Sequence, residues 1–174
     1  SPKIKLKIYQ EFGLFDFDVS ALKGKKIVKA VLYVAIAGAG IDKTRGSDLR
    51  WFTLSTISSD WVEGDGKQYD IDEIGKGATF NEASYKTRQW SYPGSHCWDV
   101  ILGNGNTLRA DVDAGEPKDG WFAISVDKKF IDALISKSTY GLLLMDGSTG
   151  TDRNCTIASK ESGKNAPYLK VTLA

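Results

Sequence analysis

The segment TRQWSYPGSHCWD, residues 87–99, gathers the side chains best suited to hold a ligand: Arg88, Trp90, Tyr92 and Trp98, with Tyr85 just ahead of them. An indole or phenol ring offers a flat apolar face to the C–H face of a pyranose, and a guanidinium offers a planar fork of donors to hydroxyls or carboxylates. Grouped in an irregular stretch, these rings would form a platform or groove for a sugar. The competing expectation for any one loop tryptophan is that it lids the core. That is the expectation for Trp61 in SDWVEG and for Trp121 in WFAISV. An acidic polysaccharide would call for arginine. Arg88 ranks first, followed by Arg109 and Arg153 in loops, with Arg45 and Arg50 as further options. The candidate ligand-binding set is therefore Trp90, Tyr92, Arg88, Trp98, Tyr85 and Arg153.

Catalysis makes sharper demands: a nucleophile beside a base, or two opposed carboxylates of which one keeps its proton. The chain has no G-x-S-x-G elbow, no GxxxxGK[ST] phosphate loop and no H-E-x-x-H helix. His96 adjoins Cys97, yet neighbours on extended chain point apart. A non-catalytic protein is expected, with lyase or hydrolase chemistry as the last alternative. Zinc is disfavoured because His96 is the single histidine and there is no C-x-x-C. Calcium has more oxygen ligands to choose from, in GDGKQYDIDE (Asp65, Asp70, Asp72, Glu73) and DVDAGEPKDG (Asp111, Asp113, Glu116, Asp119). Neither run matches an EF-hand loop, so both are expected to be turns, with a structural calcium as the alternative and no metal ligand assigned. Cys97 and Cys155 form either one bridge or two buried apolar side chains.

Elements that could position such a site are strands. Lys3 to Tyr9 alternates lysine with Ile4, Leu6 and Ile8, and Phe12 to Ser20 places Phe15, Phe17 and Val19 on one face. Ile27 to Ala37 alternates apolar residues along a central strand. Leu49 to Ile57 is β-rich, but its inward face is ambiguous. Between Ser58 and Gly120 the patterning fades into a stretch rich in Gly, Asn and Asp. Trp121 to Val126 resumes alternation, and Asp127 caps a short helix carrying Phe130, Ile131, Leu134 and Ile135 at helical spacing. Gly141 to Met145, Cys155 to Ser159 and Tyr168 to Leu173 complete the strands. Short strands punctuated by turns predict an all-β fold, an antiparallel β-sandwich with one short helix.

The 174 residues suit a single domain, 1–174, with one core. Lysine and arginine number 23 against 22 acids, so no overall field draws nucleic acid to the surface. No apolar run is long enough to span a bilayer, and membrane insertion is not expected. The opening SPKIKLKIYQ lacks Met and enters a strand at once, which reads as an excised module of something larger.

Four segments in order resemble the disaggregatase-related (DNRLRE) family. They are LFDFDVSALKGKKIVKAVLYVAI (Leu14 to Ile36), STISSDWVEGDG (Ser55 to Gly66), ATFNEASYKTRQWSYPGS (Ala78 to Ser95), and the closing pair FIDALISKSTYGLLLMDG and TIASKESGKNAPYLKVTL. The family's opening-strand arginine is Asp16 here. The resemblance implies a jelly-roll-like sandwich from secreted multidomain proteins, some of whose members act as carbohydrate-binding modules beside polysaccharide-degrading enzymes. It implies an extracellular or cell-surface, monomeric module with covalently attached neighbouring domains and a polysaccharide partner. The function expected is non-catalytic binding of an extracellular polysaccharide, an acidic one included. A structural or adhesive module of a surface protein is the alternative.

Overall fold

Alternation along Ile27–Ala35 buries Ala30, Leu32 and Val34 and makes this strand the spine of a β-sandwich. The computed structural model describes residues 2–7, 11–37, 50–64, 76–91, 93–101, 107–147 and 155–174. In chain order the strands begin with β1 (Lys3–Leu6), β2 (Gly13–Phe15), β3 (Ile27–Ala35) and β4 (Trp51–Thr56). A short hairpin of β5 (Glu82–Ser84) and β6 (Arg88–Gln89) follows, then helix α1 (Cys97–Ile101). The rest are β7 (Arg109–Asp113), β8 (Trp121–Val126), helix α2 (Lys128–Ser136), β9 (Leu142–Asp146), β10 (Cys155–Ala158) and β11 (Tyr168–Leu173).

One sheet runs β11-β3-β8, and β10, paired with β1, joins the end of β3 through a bridge between Ile36 and Ile157. The other runs β2-β9-β4-β7. All the pairings are antiparallel, and the chain passes repeatedly from one sheet to the other, so most neighbours in a sheet are distant in sequence. The fold is an all-β antiparallel sandwich, as the strand pattern predicts. Between the layers Leu32, Val34 and Ile124 meet Leu54, Leu142 and Leu144. Phe52 meets Phe122 edge to face, with centroids 5.1 Å apart at 70°. Helix α2 closes one end. Its predicted cap holds, because Asp127 Oδ1 accepts the Lys129 N–H at 2.8 Å, and Phe130, Ile131 and Leu134 turn into the core.

A third layer covers the outer face of the β2-β9-β4-β7 sheet. Ile57, Leu143 and Met145 point outward, where Ala83, Trp90 and Cys97 bury them and Phe12, Phe80, Trp61 and Trp98 surround them. Every residue of β9 is consequently buried, and β4 is buried from Phe52 onward. A sheet covered on both faces loses the alternation of a half-wet strand, which is why the pleat of Leu49 to Ile57 is ambiguous in sequence. The stretch from Ser58 to Gly120 thus contains a hairpin, a helix and strand β7 in place of the expected loops.

Two further expectations need correction. The second strand stops at Phe15, because the Asp18 carboxylate accepts the Ser20 N–H at 2.9 Å and turns the chain into a 3-10 turn at Ser20–Leu22. Part of the acidic run DVDAGEPKDG is strand β7. There Asp113 pairs with Arg50 (Nε to Oδ1, 2.8 Å) and Asp111 accepts from Thr53. The run GDGKQYDIDE falls largely at residues 65–73, outside the described set. Of the two alternatives for the cysteines, the structure has the buried side chains: both are free thiols, Cys97 in the outer apolar cluster and Cys155 in the sandwich core. No described helix is long and apolar enough to cross a membrane.

Candidate functional site

Trp90 is the clearest departure from the expected site. Its ring is only 3% exposed, plugged onto the outer face of the second sheet, and its indole N–H is shared between the carbonyls of Thr79 (3.0 Å) and Phe80 (3.2 Å). A ring with both faces in apolar contact and its donor satisfied has no face left for a sugar. Trp98, half-buried on α1, packs edge-on to Phe12 at 6.3 Å. Tyr85 stays half-buried beside the β5-β6 hairpin with the Lys86 ammonium 5.0 Å from its ring centroid. Tyr92 and Arg153 lie outside the described residues. Trp90 and Trp98 therefore belong to the third layer of the fold, and among the described candidates Arg88 is the one that projects well into solvent.

Arg88 leads to the site the structure does form. Its Nη1 meets Asp60 Oδ2 at 2.8 Å and its Nη2 meets the Asp60 carbonyl at 3.1 Å. Asp60 lines an open cleft of about 1060 Å³ with Asp16, Phe17, Asp18, Trp61 and Tyr140. A second open cleft, of about 570 Å³, adjoins it, lined by Phe12, Val62, Lys160, Glu161 and Pro167 among others. Asp16, Phe17, Trp61 and Glu63 line both. The two clefts meet at this shared wall, of which Trp61 is the largest side chain.

Local chain geometry fixes that wall. The Trp61 indole N–H donates to the Tyr140 carbonyl at 2.8 Å, and the Tyr140 N–H donates to the Ile57 carbonyl at 2.9 Å. Thr139 Oγ1, buried beside them, accepts the Ile57 N–H at 2.9 Å and donates to the Gly141 carbonyl at 2.7 Å. Trp61 is half-buried, resting on the outer apolar cluster while facing the cleft. The expectation that it is a core residue captures only one of its two sides. Phe17 lies nearly parallel to Phe15, 6.2 Å away at 5°, and Tyr140 is 52% exposed at the rim. The cleft thus presents an anchored indole, a stacked phenyl ring and a wet phenol.

Carboxylates surround these rings. The Ser20 backbone and side chain hold the Asp18 carboxyl below its ordinary range. Lys160 pairs with Glu63, whose carboxylate raises the lysine. Ser159 holds Glu161 down in the same way. The chemistry offered is a set of fixed hydrogen-bond acceptors beside apolar ring faces.

A second aromatic group lies outside the two clefts. On the outer face of the first sheet Tyr33 stacks on Tyr168 (4.8 Å, 10°), with Trp121 edge-on to Tyr168 at 5.4 Å. Trp121, expected in the core, is half-buried there as a cross-strand partner. Burial pushes the Cys97 thiol up to about 12, away from the thiolate form. His96 stacks on Phe80 at 5.1 Å, and its Nδ1 accepts the Trp98 N–H at 3.2 Å.

Sequence reasoning missed Phe17, Asp60, Trp61 and Tyr140 as a set because they come from three separated segments. A signal was nevertheless present: Trp61 follows Ser58, Ser59 and Asp60, a polar approach unlike the flanks of a fully buried ring. No family model matches the chain, and no curated protein matches it in sequence.

Proposed function

We propose that this domain is a non-catalytic carbohydrate-binding module that holds an extracellular polysaccharide in the cleft centred on Trp61. The single observation that carries this reading is the clamped Trp61 indole, half-buried yet facing an open cleft between acidic rims. Glycan recognition asks for that pairing of a rigid ring face with fixed polar groups. The sequence resemblance to the disaggregatase-related family supports the same reading, and so does the inert environment of Cys97. Tethered to an enzyme, such a module raises the enzyme's effective concentration on its substrate.

Affinity electrophoresis in gels containing alginate, pectin, β-glucan or xylan tests the proposal. Retardation by at least one polymer is expected, lost in Trp61→Ala and kept in Trp51→Ala, an exposed tryptophan outside the cleft. Unchanged migration of the wild-type protein in all the gels would replace this reading with that of a structural or adhesive module.

A further inference from the structure

The clefts on either side of Trp61 differ in what they admit, and their shape and charge narrow the class of glycan. Both are open to solvent and meet at a shared wall of Asp16, Phe17, Trp61 and Glu63, and the larger, at about 1060 Å³, reaches the upper range of pockets that bury a whole drug-sized ligand, roughly 300–1000 Å³. A single sugar ring would leave most of this space to water. A chain end would need only one cleft, whereas two open clefts meeting at Trp61 offer room for a chain that passes from one to the other.

Charge selects further. Among the described residues Asp16, Asp18, Asp60, Glu63 and Glu161 line the two clefts beside Lys3, Lys23, Lys137 and Lys160. Asp60 and Glu63 are neutralised by Arg88 and Lys160. The lining carries no excess of positive charge to draw a polyanion, whose carboxylates or sulfates would have to displace Asp60 and Glu63 from those cations. A chain of neutral sugars carries hydroxyl donors, which the carboxylates accept.

We infer that the cleft binds the interior of an uncharged polysaccharide chain, laid across Trp61 with sugar subsites on both sides of it. This inference rests on the carbohydrate-binding reading and replaces the expectation of an acidic ligand. Tyr140 belongs to one side only and Glu161 to the other, so each side can be weakened without replacing a residue of the shared wall.

Calorimetric titration of the intact protein with cello-, xylo- and laminari-oligosaccharides, from disaccharides to hexasaccharides, reads chain length and site together. For at least one series the hexasaccharide should bind at least about tenfold more tightly than the disaccharide, and borohydride reduction of its end should change nothing. Tyr140→Ala and Glu161→Ala should each reduce the length dependence several-fold, with unaltered circular dichroism and melting showing that the variants fold. Binding that saturates at a disaccharide, or that is lost on end reduction, would overturn the inference while leaving carbohydrate binding intact. So would retention by alginate or pectin, weakened by salt, with no neutral series bound. If none of these glycans binds in any format, the inference falls together with the carbohydrate-binding reading.

Discussion

The indole N–H of Trp61 donates to the backbone carbonyl of Tyr140 across 79 positions of sequence, at 2.8 Å, and so ties the polar segment after β4 to the turn before β9. That turn is pinned in its own right, with Thr139 and Tyr140 both bonded to Ile57 at the end of β4. The cleft's central ring is therefore mounted on backbone anchored to the second sheet, and its orientation costs little further ordering when a ligand arrives.

Gly141 is the residue this mount depends on. Its φ is +125°, a conformation that side-chain-bearing residues rarely adopt, and an added Cβ would collide with the carbonyl oxygen of Phe15. Gly141→Ala should cost more than about 1 kcal/mol of stability, read as a lower urea midpoint, and should also weaken retention by any polymer that the wild type binds. A variant as stable as wild type would show that the turn relaxes freely and that the Trp61 mount is not rigid.

Two tryptophans separate folding from binding. Trp90 fills the outer core with its donor satisfied, so Trp90→Ala should cost roughly 3–5 kcal/mol, as large-to-small core changes do. Trp61, with one side in the cleft, should cost less stability on truncation and more binding. Urea unfolding beside affinity electrophoresis distinguishes them. The assignment fails if Trp90→Ala melts like wild type but no longer binds.

What the sequence could and could not reveal follows from the third layer. Strands β3 and β8 and the Asp127-capped helix were legible because each has one apolar face and one wet face. Strand β4 was not, since Phe52 and Leu54 face the sandwich while Thr53 and Ser55 are buried under the third layer. Strand β7 was hidden because its alternating Asp111 and Asp113 resemble turn residues or cation ligands until Thr53 and Arg50 come beside them. Trp90 misled for a related reason: a ring in a Gly- and Ser-rich segment looks exposed unless that segment is known to fold over a sheet that needs a lid. The cleft's members sit at positions 16–18, 60–63 and 140, and only the β2-β9-β4 neighbourhood brings them together.

The cysteines give a chemical test of the layering. Burial pushes both thiols up to about 12, with the Asp146 charge adding to the rise at Cys155. At pH 8 almost none of either is thiolate, and the thiolate is the reactive form. An aromatic disulfide reagent should therefore label native protein only at the rate of unfolding and label both thiols promptly in denaturant. Adding a reductant should leave the melting temperature unchanged, because Cys97 and Cys155 lie in separate apolar clusters. A melting temperature lowered by reductant would demonstrate a bridge and contradict this packing.

Two exposed ion pairs set opposite pH limits. Arg50 and the Gly115 N–H hold the Asp113 carboxyl below its ordinary value of 3.8. A depressed carboxylate contributes stability that is present above pH 3.8 and is lost as the pH falls through the lower, folded value. Glu63 holds Lys160 above its ordinary 10.5, so that contribution is complete below pH 10.5 and disappears as the pH rises through the raised value. Because both pairs are solvated, the effect belongs to titration curves more than to melting curves. NMR titration should place Asp113 below 3.8 in the wild type and return it toward 3.8 in Arg50→Gln. Lys160 should move down toward 10.5 in Glu63→Gln. That second variant also removes a carboxylate from the wall shared by both clefts. If the Lys160 titration does not move, the pair is not formed in solution and the cleft's charge pattern differs from the one described here.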